Sequence, residues 1–443
     1  MPRNNFYAVL ITLLLLFPVS LQLRPLAVPV GSFYITAVEI IIFFLFSVWA
    51  FQQVFTGKKL VKGTLFGHYI IIFLIMFSVY LLFGLIFYGP VLALGDFRQY
   101  FPIILYFPII HFFNFEQSIG NLRKKIFFVL ITVAIYTIIL FVFFNDFMAA
   151  QAIKDGKRIV GERIYIVNSL AVLFAYLGFV VAILLNPDSK FFKRILSFII
   201  VVINAVMLLI MQSRSLWVMF SIILLLSAFS FKNYFSRLKY ILIGFYSVFL
   251  FIAIAYFSVN VFNYTPSVVK RVQNSIIDRV ISFKDLAKIG QKNTHKAKSI
   301  GTLETRFETA KRVTKDYIIP NFFLGSGFGS QIPMVNTHGM IYKWKFQIDN
   351  AYLTILAKFG LLGFLLYGLF AIKIVRSLFA IIRSPKISYE DSILAKSFLY
   401  MIIALILGAF FSSIFIRQQP LIVGFLIMIG EIEFMHSKYK SRI

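Results

Sequence analysis

The chain has 443 residues, 60% of them hydrophobic and 14% charged, with a mean hydropathy of +0.88. Soluble domains carry about 25% charged residues, and 61 charges cannot clothe this much aliphatic and aromatic area, 55 phenylalanines included, so a polytopic membrane protein is the class that remains. The absence of cysteine excludes disulfides, thiolate catalysis and Cys-bound metals, and the net charge of +27 does not point to nucleic acid, because the basic residues fall between apolar runs.

A helical span needs roughly 20 mostly apolar residues to cross about 30 Å of hydrocarbon. Twelve runs meet that need, near 6–22, 33–53, 67–88, 100–115, 126–145, 165–186, 195–212, 215–231, 240–258, 351–372, 397–415 and 420–435. The first is followed by no small-x-small cleavage pattern and reads as a retained anchor. The fourth is short and contains Pro102, Pro108 and His111. The 37 residues from Ile195 to Phe231 would overshoot the bilayer as one helix, so Gln212-Ser213-Arg214 marks a tight turn between two spans at the membrane surface.

An even number of spans puts both termini on one side. With the termini cytoplasmic, the cytoplasmic segments hold 21 Lys or Arg and the short external segments 8, as the positive-inside rule requires. The exception is an external loop over 259–349 with 14 Lys or Arg against 6 Asp or Glu. Long loops translocate regardless of charge, and a loop of this length serves as a lid or binding element more often than as a bare connection. The expected architecture is therefore an all-α polytopic membrane protein of about 12 transmembrane helices with one large external loop. Helices 1–9 occupy residues 1–258, the partly helical loop 259–349, and helices 10–12 with a cytoplasmic tail 350–443.

Arginines on the external side are the first chemical candidates: Arg98 before the fourth run, Arg214 at the hairpin tip, Arg306 in the long loop and Arg417 before the last span. A guanidinium holds its charge when partly buried and grips phosphate oxygens with a rigid fork. Snorkelling toward headgroups accounts for Arg417 as readily, but ending a very apolar hairpin in Arg214 is costly without a partner. Asp96, two residues before Arg98, is placed to orient that arginine. Glu304, Glu308 and Asp349 are candidate bases, the two glutamates on a surface helix expected over 302–314 with Phe307 facing lipid, and Glu39 is an intramembrane carboxylate near the outer end of its run. The five histidines are widely spaced and form no metal signature; His338, in the long loop, is a candidate for acid/base work. Gly325, Gly327 and Gly329 follow Pro320 in a turn whose backbone amides can approach a phosphate or sugar, and the pattern lacks the Lys-Ser/Thr of a nucleotide site.

Gln212-Ser213-Arg214, Arg306, the Pro-x-x-x-x-Gly-x-Gly-x-Gly pattern over Pro320 to Gly329, and Asp349-Asn350-Ala351-Tyr352-Leu353 leading into Lys358-Phe359-Gly360-Leu361-Leu362-Gly363 resemble the O-antigen ligase/O-antigen polymerase superfamily of bacterial envelope enzymes. The resemblance covers about 195–375. It implies an inverting glycosyltransferase that needs no metal and no other cofactor, with its active site on the periplasmic face of the bacterial cytoplasmic (inner) membrane. The donor is a saccharide on undecaprenyl diphosphate, attacked by a hydroxyl of a second lipid-linked glycan or of a lipid A-core acceptor.

Arg214 and Arg306 match the superfamily's pyrophosphate-binding arginines, Asp349 and His338 are the candidate proton acceptors, and Arg98, Gly325, Gly327, Gly329, Asn350 and Arg417 the candidate substrate contacts. Ligases resemble one another in a histidine immediately before the asparagine that opens the span after the long loop. Here that position is Asp349, which favours the polymerase over the ligase. Membrane lipids and a chain-length regulator are the further partners implied. A lipid-linked oligosaccharide flippase is the rival from another class; the asymmetric placement of the one long loop speaks against it, since alternating access is served by related halves.

Overall fold

The computed structural model describes residues 27–30, 33–56, 64–113, 195–202, 214–229, 298–335, 341–410 and 419–440, with single helical positions between 128 and 191. A short hairpin, β1 (Ala27–Val30) and β2 (Phe33–Thr36), pairs antiparallel with Val30 opposite Phe33. It leads directly into α1 (Ala37–Thr56). The run expected to be helical from residue 33 thus begins as strand, where Tyr34, Ile35 and Thr36 suit an extended backbone better than a helix start. α2 (Gly67–Phe87) is followed by Gly89, the N-cap of α3 (Pro90–Phe97), and Pro90 opens that helix at the position where a missing N–H costs nothing.

The described part of the fourth run is no uniform span. A 3-10 turn (Phe101–Leu105) with Pro102 in its first turn passes into the eight-residue α4 (Tyr106–Phe113). α5 (Arg214–Phe229) follows, then α6 (Lys298–Val313), which fills the place of the surface helix expected over 302–314 and continues as a π-turn (Thr314–Ile318) before Pro320. β3 (Ile332–Val335) and β4 (Ile341–Lys345) form a second antiparallel hairpin, so two small sheets interrupt the expected all-α architecture. α7 (Ala351–Ile382), α8 (Tyr389–Gly408) and α9 (Gln419–Lys440) complete the order.

Four described helices are long and apolar enough to cross a membrane: Val38–Phe55, Gly67–Phe87, Ala351–Ile382 and Tyr389–Gly408. The runs 6–22, 126–145, 165–186 and 240–258 lie outside the described residues, apart from single positions. α7 extends ten residues beyond the expected 372. Its 32 residues would reach about 48 Å unbroken, but Gly360 adopts φ 62, ψ −164, dividing it into a half-helix that ends at Phe359 and a long helix that starts at Leu361.

Helix ends inside apolar surroundings leave N–H and C=O groups that must find partners. The loop 321–327 supplies them. Phe322 O accepts from Leu361 N at 2.7 Å and Phe323 O from Leu362 N at 3.3 Å, while Ser326 N donates to Ala357 O and Gly327 N to Lys358 O, both at 2.8 Å. The Tyr80 hydroxyl of α2 donates to Phe359 O at 3.1 Å and to Leu324 O. Phe328 then plugs the helical core, fully buried, its ring 5.7 Å from Phe77, 5.2 Å from Tyr100 and 5.3 Å from Phe359. Part of the segment read as external loop is therefore built into the helical core.

The described helices share two ends. At one, Glu433 of α9 accepts from Phe66 N at 2.9 Å and from the Tyr106 hydroxyl, Ser388 caps α8, and Asp391 accepts from the Tyr439 hydroxyl at 2.6 Å and from Lys438 at 2.9 Å. The other end gathers the start of α1, the end of α2, α3, the start of α7 and the end of α8.

Candidate active site

Asp349 and Asn350 open α7, and they do different things. Asn350 is the N-cap: its side chain accepts from Leu353 N at 3.0 Å and its amide donates to Phe410 O at 3.2 Å. Ala351 N donates to Ala409 O at 2.9 Å and the Tyr352 hydroxyl to Ile406 O at 2.6 Å, tying the head of α7 to the tail of α8. Because Asn350 supplies the cap, the Asp349 carboxylate is left for another partner. That partner is Arg306 of α6, 43 residues earlier, whose Nη2 lies 3.4 Å from Asp349 Oδ2 with both groups partly open to solvent. Two residues singled out separately in the sequence are thus brought together.

Arg214 is the first residue of α5. That helix packs along α8 so closely that a Cβ on Gly408 would lie 2.5 Å from Met219 Sδ. Arg214 starts five residues before Met219, about 7.5 Å along the axis, so its backbone reaches the same end of the molecule as the Asp349–Asn350 pair. His338 and Arg417 lie outside the described residues. Glu308 is on α6, half-buried beside the exposed Arg306 and Phe307.

Asp96 does not orient Arg98. The guanidinium of Arg98 instead makes a bidentate pair with Glu39 of α1, Nε to Oε1 at 2.8 Å and Nη2 to Oε2 at 3.0 Å. Residues two apart on a helix point in different directions, so α3 sends Arg98 outward and Asp96 inward. Asp96 is wholly buried and forms an ion pair with the equally buried Lys358 of α7. The intramembrane carboxylate Glu39 thereby finds its partner, as such groups must.

The three glycines have a structural explanation that the sequence did not suggest. All have positive φ, and their amides are used within the fold: Gly325 N on Asn321 O, Gly327 N on Lys358 O and Gly329 N on the Asp96 carboxylate at 3.0 Å. A Cβ on Gly325 would lie 2.5 Å from Gly360 N. The amides expected to cradle a phosphate are thus already donating, and the glycines serve close approach of the loop to the broken helix.

Lys358 was missed as an individual residue, although the signal was present: it is the only Lys or Arg inside any of the twelve apolar runs. Glu433, within the last run, was likewise legible as an intramembrane carboxylate needing partners. No group of three or more His, Cys, Asp or Glu side chains gathers among the described residues.

Comparison with curated proteins finds no match. Residues 199–368 match the family model described as O-antigen ligase. The matched segment holds Arg214, Arg306, the glycine loop, Asp349, Asn350, Lys358 and Gly360, the residues that build the α7 break and the Arg306–Asp349 pair. Over residues 199–368 the chain is thus similar to the O-antigen ligase family, and this match, beside four described helices long and apolar enough to cross a membrane, supports the O-antigen ligase/polymerase superfamily of glycan-assembly proteins.

Proposed function

We propose that the protein is a polysaccharide polymerase of the O-antigen type, an inverting, metal-independent glycosyltransferase that joins repeat units carried on undecaprenyl diphosphate. The observation that carries the reading is the approach of Arg306 to Asp349 at the capped head of α7, within the matched domain. An acceptor hydroxyl attacks the anomeric carbon of the donor; the bond from that carbon to the diphosphate oxygen breaks, undecaprenyl diphosphate leaves, and the hydroxyl proton passes to the Asp349 carboxylate. Charge grows on the departing diphosphate, where the guanidiniums of Arg306 and Arg214 stabilise it. Arg306 has five N–H donors and can hold phosphate oxygens while remaining next to the carboxylate.

The membrane orientation rests on the basic residues. Lys373, Arg376, Arg383, Lys386, Lys396 and Lys438 lie toward the end opposite Asp349, which supports a cytoplasmic placement of that end and a periplasmic site. Transfer of lipid-linked glycan to lipid A-core is a second reading, favoured by the description of the matching family itself. Aspartate rather than histidine before Asn350 favours the polymerase.

Purified protein in liposomes, given synthetic undecaprenyl-diphosphate repeat units and no nucleotide sugar, tests these readings. A ladder of longer glycans supports the polymerase, and transfer only to an added lipid A-core acceptor supports the ligase. Movement of the donor across the bilayer with no new glycosidic bond overturns both in favour of a flippase.

A further inference from the structure

Beneath the candidate site lies a buried ion pair that the proposed reaction does not use. Asp96 and Lys358 are 262 residues apart in sequence, and both side chains are 0% exposed. Lys358 Nζ also donates to Ser330 O at 3.2 Å and lies 5.7 Å from the centre of the Phe346 ring. The Asp96 oxygen that meets Lys358 accepts the Gly329 N–H as well. The other oxygen of Asp96 is buried without a hydrogen-bond partner, as is Oε1 of Gln347, two residues before Asp349.

These contacts fasten three segments at one point. Asp96 lies two residues before Arg98; Ser330 and Gly329 close the glycine loop; Lys358 lies two residues before the break in α7, on the half-helix headed by Asp349 and Asn350. A buried ion pair is an inefficient source of stability, because desolvating two charges offsets most of their attraction and neutral groups of similar volume often hold a core as well. Geometry is what the pair supplies. The half-helix is joined to the rest of α7 through a residue with non-helical dihedrals; backbone bonds from the glycine loop hold its end, and the Asp96–Lys358 pair ties it to α3.

We propose that Asp96 and Lys358 are positioning residues, which set the half-helix Ala351–Phe359, and with it Asp349 and Asn350, against α3 and Arg98. The catalytic part of this assignment rests on Asp349 acting as the base. Displacing a base by about 1 Å is enough to cost about 100-fold in rate without removing any substrate contact.

The test is the double variant Asp96→Asn/Lys358→Met, which removes both charges, keeps both volumes, and keeps an oxygen for the Gly329 N–H. The chain has no cysteine, so spin labels can be placed at Val91→Cys on α3 and Leu356→Cys on the half-helix in every protein compared. The double variant is expected to melt close to the parent and to bind lipid-linked donor with unchanged affinity. Its kcat for glycan extension is expected to fall about 10- to 100-fold at unchanged KM, with a broadened label-to-label distance. Either a parental kcat or an unbroadened distance in the folded double variant overturns the proposal. If the double variant does not assemble, Asp96→Asn alone carries the same two measurements with the same expectations. A parent protein that makes no glycosidic bond, with a distance that still broadens in the variant, refutes the polymerase reading and leaves the structural positioning standing.

Discussion

Replacing Gly360 by Ala tests whether the break in α7 is a built feature of the fold. At φ 62, ψ −164 this residue occupies backbone space that is essentially confined to glycine, and forcing a side chain there costs about 1–3 kcal/mol. The added Cβ would also lie 2.5 Å from the carbonyl carbon of Phe323, a backbone atom that cannot rotate away. Relief requires moving residues 322–323, which strains the bonds from Leu361 N to Phe322 O and from Leu362 N to Phe323 O. Each such bond is worth about 0.5–1.5 kcal/mol net.

The expected destabilisation of Gly360→Ala is therefore about 2–6 kcal/mol. Gly368 supplies the control in the same helix: it lies in the regular part of α7, and a Cβ there meets nothing within 4 Å. Gly368→Ala should be neutral or stabilising by up to about 1 kcal/mol. Denaturant titration of both variants and the parent in mixed micelles measures the difference. A Gly360→Ala variant as stable as the parent, or one no worse than Gly368→Ala, refutes the account of the break.

Asp349→Asn should leave the fold and donor affinity intact, since Asn350 and not Asp349 caps α7; glycan extension should fall about 100-fold or more, and full extension would move the base assignment to His338. Arg306→Lys retains charge but loses the fork, so extension assayed at saturating donor should stay well below the parent, as it should for Arg214→Lys. Asn350→Ala removes the cap and the link to Phe410 O, costing about 1 kcal/mol or somewhat more in the same denaturant titration. Extension should persist in EDTA, and activity that returned only with magnesium or manganese would defeat the metal-independent mechanism.

Composition alone marks a membrane protein: the apolar runs that became α1, α2, α7 and α8 are visible because burial in lipid demands uninterrupted hydrophobicity, which is a local property. The Asp349-Asn350 doublet and Arg306 were also legible, as polar groups at the edge of apolar runs or in a basic loop. Ion-pair partners were not. Neighbourhood in the chain suggested Asp96 with Arg98, whereas helix geometry turns the two apart, and their partners come from residues 262 and 59 positions away. The glycine loop gave the same kind of misdirection. Its flexibility suggested a ligand cradle, but the amides and carbonyls of 322–329 complete the ends of a broken helix and meet a buried carboxylate. A backbone group's partner depends on which other backbone groups are left unsatisfied nearby, and in a helix broken within apolar surroundings that is decided only when distant segments pack together.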